Sequence, residues 1–199
     1  MVGRNLNETE IALIDEVIRQ RRSIKPSLLT DRPVDRDLVQ AILTAGNRAP
    51  SHYVTEPWRF VVVEGEARKD LAEVFLDAVL SENPEADDYT RNKVEKKPLR
   101  APTLIVVIRQ GGLHPKAKDH EDEWAVACAV QNMALAAAAR GLGLFWSTGT
   151  PMAHSLVATH FGCDDHARVM GFLYVGWPED SNWPEGRRGD VEAKTQWRL

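Results

Sequence analysis

Apolar and polar positions alternate along this chain with two periods. Ile11, Ile14, Val17 and Ile18 fall on one face of a helix, and Asn7 with Glu10 three residues on forms a capping-box pattern ahead of it. A second helix is expected after Asp35, with Leu38, Val39, Ile42 and Leu43 as its buried face, ending near Gly46. A third follows Gly65, marked by Leu71, Val74, Phe75, Ala78 and Val79. Between these two, residues 58–64 are β-branched and aromatic and read as an interior strand. Residues 103–109, 144–146 and 168–176 read as further strands, and residues 154–161 as a short helix stopped by Gly162.

The stretch from 124 to 149 organises the rest. Six of the eight residues from 134 to 141 are alanine or leucine, the strongest helix formers. Arg140 meets the negative end of the helix dipole, and Gly141 suits the position after the last turn. A helix apolar nearly all round is expected at the centre of a core, without a solvent face. Residues 81–102 hold three prolines and many charges and read as a mobile excursion, with room for a short helix near 89–96. The tail from 178 onward is polar yet carries tryptophans, so it should pack on its own body or on a partner. The loose alternation of elements predicts one α+β domain over 1–199, a small mixed sheet covered by helices around the alanine-rich helix.

Composition removes whole classes of function. The net charge of −4 gives no basic field for nucleic acid, and Gln131, Asn132 and Arg140 argue against a membrane span. The first ten residues lack the apolar core of a secretion signal, and Cys128 and Cys163 read as reduced thiols, which suits a cytoplasmic protein. There is no P-loop, no dinucleotide glycine fingerprint and no serine-hydrolase elbow. No histidine pair has metal-ligand spacing, and Arg187-Arg188 reads as solvated surface.

What remains is Arg21-Arg22-Ser23 after the first helix, an Arg48-Ala49-Pro50-Ser51-His52 loop, and Trp146 at a strand end followed by Ser147, Thr148 and Gly149. Guanidinium forks and hydroxyls suit a phosphate, the tryptophan suits a flat ring, and a bound cofactor would then carry the reaction.

These segments, with RAPSHYVTEPWRFVVVEG from 48 to 65, GLGLFWSTG after the alanine-rich helix and MGFLYVGWP near the end, resemble the nitroreductase family, and within it the small bacterial members. The resemblance implies an FMN-dependent homodimer that passes hydride equivalents from NADH or NADPH to a small-molecule acceptor. It implies that Arg21, Arg22 and Ser23 hold the FMN phosphate and ribityl chain, and that Arg48 and His52 reach the flavin from the other subunit. Trp146, Ser147, Thr148 and Gly149 would lie along the cofactor, and residues 136–141 beside the nicotinamide donor. No residue is assigned as a dedicated catalytic group. Ser147 stands where related chains carry arginine, and Glu56 where glutamine is common. Dehalogenation or flavin fragmentation on the same fold, or a flavin-binding dimer without activity, are the alternatives.

Overall fold

The computed structural model describes residues 5–179 and 183–198. Helix α1 (Glu8–Gln20) starts on the expected capping box: Asn7 Oδ1 accepts the Glu10 N–H at 2.9 Å, and Glu10 Oε2 accepts the Asn7 N–H at 3.0 Å. Helix α2 (Arg36–Gly46) begins after Asp35, although that side chain makes no capping bond. Strand β1 (Trp58–Glu64), helix α3 (Ala67–Glu82), helix α4 (Asp88–Glu95) and strand β2 (Thr103–Gln110) follow. Helix α5 (Asp119–Ala138), strand β3 (Gly143–Ser147), helix α6 (Ser155–His160) and strand β4 (Ala167–Gly176) complete the regular elements.

The strands lie in the order β1-β2-β4-β3, and each neighbouring pair is antiparallel. A mixed sheet was expected; the one parallel pairing among the described residues is the isolated bridge between Ser23 and Leu144. β1 is an edge strand rather than the interior strand its composition suggested, with Arg59, Val62 and Glu64 exposed. β-Branched residues report a pleated surface and do not report how many neighbours a strand has.

β2 explains the layering, because seven of its eight residues are buried. Side chains alternate across a strand. Ile105 and Val107 therefore join Val39 and Ile42 of α2 and Val126, Ala129 and Met133 of α5 on one face. Leu104, Val106 and Ile108 join Leu71 and Phe75 of α3 and Val157 of α6 on the other. Segment 81–102 carries α4, whose start is capped by Asp87 and whose Val94 is buried with Ala86.

Two apolar surfaces remain open. No residue of α1 is buried, and Leu13 is 62% and Ile18 52% exposed, so the predicted stripe exists but the described residues do not cover it. The central helix has an open side as well, contrary to the expectation of none: Trp124 is 65% exposed, and Cys128 and Gln131 lie on the same stripe. Periodicity shows that a face is apolar, and does not say which molecule covers it.

β3 is held against β4 by one unusual residue. Gly171 has φ +131° beside a register shift in the pairing of β2 with β4, and a Cβ there would lie 2.4 Å from the Ser147 carbonyl oxygen and 2.7 Å from Trp146 Nε1. Gly171→Ala is expected to lever β3 away from β4 and to cost roughly 2–4 kcal/mol. A denaturant midpoint equal to that of the parent chain would contradict this.

Candidate active site

The end of α1 and the start of β3 are tied together by backbone. The Ile24 N–H donates to the Leu144 carbonyl at 3.1 Å, and this sets Arg21-Arg22-Ser23 beside the strand that ends in Trp146 and Ser147. Sequence positions about 120 residues apart thus meet in one region, as the motif reading required.

Arg21 and Arg22 differ in what they are free to do. Arg22 donates from Nη1 to the Arg19 and Arg21 carbonyls at 2.6 and 2.9 Å, and from Nε to the Pro184 carbonyl at 3.0 Å. It pins the tail to the end of α1, and Trp183 Nε1, donating to the Gln20 carbonyl at 2.7 Å, does the same. Arg21 has no carboxylate partner among the described residues. Burial, followed by Arg188 and then Arg22, pulls its guanidinium below the usual arginine range. Arg21, Arg22 and Arg188 line a cleft of about 500 Å³ with Arg19, Gln131 and Gly186. Guanidinium groups gathered without a carboxylate between them repel one another and attract an anion, and phosphate oxygens fit such forks. The donor set therefore fits the phosphate end of a nucleotide-like cofactor.

A second group of cations lines a separate cleft that shares no residue with the first. Lys25, Lys97 and Arg100 line a cleft of about 640 Å³ with Phe145, Ser147 and Tyr174. Lys97 donates to the Thr150 carbonyl, and burial, then Arg100 and Lys93, lower its ammonium pKa. Burial pushes the Tyr174 phenol up to about 12, so this hydroxyl stays protonated at neutral pH.

Trp146 is half-buried against the core that β3 shares with α2 and α5, and its indole N–H donates to the Met170 carbonyl at 3.1 Å. Thr148 and Gly149 are exposed at the open end beyond it.

Arg48 and His52 stand apart from these groups. Arg48 faces an apolar groove of about 470 Å³ between α1 and α5, lined by Leu13, Ile14, Leu135 and Ala136. His52 lies in a cleft with Ser51, Glu121, Trp124 and Cys128. Neither cleft is lined by Arg21, Ser23 or Ser147. The open stripe of α5 nonetheless passes through three of the four clefts: Trp124 and Cys128 at His52, Gln131 at Arg21, and Leu135 and Ala139 in the groove.

The nitroreductase family model matches residues 18–177. The chain belongs to the nitroreductase family. It is 35% identical over 164 residues to "Putative NAD(P)H nitroreductase YdjA" of Escherichia coli (strain K12), which covers 82% of this chain and 87% of that protein. Among solved structures, a nitroreductase-like family protein from Bacillus cereus superposes with a TM-score of 0.78 at 28% identity, covering 100% and 98% of the two chains. A Desulfovibrio desulfuricans protein solved in complex with FMN gives 0.69 at 25% identity, covering 98% and 99%.

Several residues that line these clefts were silent in the sequence. Arg187 and Arg188 are both exposed, as the surface reading expected, but Arg188 also lines the Arg21 cleft, while Arg187 approaches Glu185 at 3.8 Å. Lys97 and Arg100 sit in a charge-rich segment where no single cation stands out. Lys25 lies two residues past Ser23, and that adjacency was the one available signal.

Proposed function

We propose that this chain is an FMN-dependent NAD(P)H oxidoreductase, active as a homodimer, that reduces nitroaromatic, quinone or similar acceptors. The observation that carries this reading is the cleft of Arg21, Arg22 and Arg188, which has the charge of a phosphate site and lies at the end of α1 that the Ile24–Leu144 bond ties to β3. Bound FMN would supply the two-electron chemistry, accepting hydride from NADH or NADPH and passing it to an acceptor in one shared slot, with ping-pong kinetics.

The protein's own residues bind, orient and neutralise. Arg21 and Arg188 grip phosphate oxygens, with Nη2 of Arg22 and the Ser23 hydroxyl beside them. Lys25, Lys97 and Arg100 offset the negative charge that a flavin gains on reduction, and in doing so they lose their own mutual repulsion. Arg48 and His52 act from the opposite subunit, which accounts for their distance from Arg21 within one chain. The open faces of α1 and α5 meet their counterparts across a two-fold axis, and each copy covers the other's apolar stripe.

The test begins with colour. The purified protein is expected to be yellow and to bleach anaerobically with NADH or NADPH. Turnover is then compared with a nitroaromatic, a quinone and a halophenol. Reduction of the first two supports the general reductase. Turnover of the halophenol alone would favour dehalogenation. Bound FMN that neither nucleotide bleaches would favour a binding protein without this activity.

A further inference from the structure

The loop that carries His52 is strained, and two neighbouring acids of α5 hold it. Tyr53, Val54 and Glu56 adopt φ values of 52°, 54° and 43°, the left-handed region that residues with side chains avoid. Thr55 Oγ1 donates to Asp122 Oδ1 at 2.9 Å, and the Glu56 N–H donates to Ser51 Oγ at 3.0 Å. The Tyr53 ring is sandwiched between His52 and His114, with centroids 4.1 and 4.2 Å apart. Strain braced this heavily on a surface loop is spent on aiming a side chain.

That side chain is His52. Its Nδ1 lies 3.0 Å from Glu121 Oε1, so the other nitrogen, Nε2, is the one left for a ligand. Glu121 is committed at both oxygens, since Oε2 accepts the Lys118 N–H at 2.9 Å. The Lys118 amide first, and His52 second, hold its carboxyl below the usual range. The other ionisable groups near the pair are Tyr53, His114 through the Tyr53 ring, His120 beside Glu121 on α5, and Cys128 in the same cleft.

We propose that Glu121 is a positioning residue for His52, fixing the imidazole so that Nε2 hydrogen-bonds the FMN held mainly by the opposite subunit. This rests on the flavin reading above. The Glu121 carboxylate holds Nδ1 and leaves Nε2 as the ring nitrogen open to the cofactor. Glu121 also closes the first turn of α5, so the test must separate aiming His52 from starting a helix.

A double-mutant cycle on the flavin-loaded dimer makes that separation. FMN dissociation constants are measured by flavin fluorescence for the parent chain, H52A, E121A, E121Q and the H52A/E121A pair. H52A and E121A are each expected to weaken FMN binding about tenfold, with the pair no weaker than H52A alone. E121Q has one carbonyl oxygen where the carboxylate serves its two donors with two, so it keeps either the bond to His52 or the capping bond but not both, and is expected to lie between the parent and E121A. If E121A costs as much in the H52A background as in the parent, Glu121 acts through its helix and the proposal is overturned. Unchanged affinity in E121A overturns it too. A parent chain that takes up no FMN would instead defeat the functional reading on which it stands.

Discussion

Leu13→Asp is expected to give a folded, monomeric and colourless protein. Leu13 is 62% exposed in the single chain, so the substitution removes no buried contact from the protomer. It does place a carboxylate in the apolar groove between α1 and α5 that a second copy would cover. Burying an unpaired charge costs several kcal/mol, and a penalty of about 3 kcal/mol weakens the dimer over a hundredfold. FMN should leave with the partner, because Arg48 and His52 would no longer reach it. Leu13 does not line the Arg21 cleft, so flavin loss would trace to the missing subunit rather than to the phosphate site. Analytical ultracentrifugation with an absorbance trace at the flavin band reads both quantities. A yellow dimer would remove α1 from the interface.

Arg21→Ala should leave the dimer intact and empty it of cofactor. Arg21 is the guanidinium of the cluster without a carboxylate or backbone commitment among the described residues, whereas Arg22 is occupied at Nε and Nη1. Losing one charge-assisted bond costs roughly 1.5–3 kcal/mol, which corresponds to about a ten- to hundredfold weaker FMN affinity. The protein's own stability should hold or rise, since removing Arg21 also relieves its repulsion with Arg188 and Arg22. Isothermal titration with FMN and a thermal melt of the apoprotein measure the two effects. Equal FMN affinity would show that the phosphate sits elsewhere.

The two faces of legibility separate cleanly here by range along the chain. Local signals carried: Asn7 and Glu10 cap α1, Gly141 takes φ +73° after α5, and β1 begins and ends where its β-branched run does. Each of these is decided within a few residues, where propensity and hydrogen bonding act directly. Signals that depend on distant neighbours did not carry. The Ile11–Ile18 pattern is the same whether the chain or a partner covers it. The valines of β1 look alike at an edge and in the middle of a sheet.

The site divides in the same way. Arg21, Arg22 and Ser23 could be picked out because they are adjacent and of suitable chemistry. Arg188 could not, because its meaning comes from a fold that brings it back to α1. Glu121 was hidden by a second role: an acid in the first turn of a helix already has an explanation, so its bond to His52 left no separate trace.

The bond from Arg22 to the Pro184 carbonyl spans 162 residues, and it has a consequence for biosynthesis. A nascent chain emerging from the ribosome presents Arg21 and Arg22 early, without the carbonyl that orients one and without the third cation that completes the grip. The anion cradle is therefore finished only once residues 184–188 have been synthesised, whereas the layers around β2, built from residues up to 176, can condense beforehand. Coenzyme loading would then wait for that tail segment to fold back onto α1.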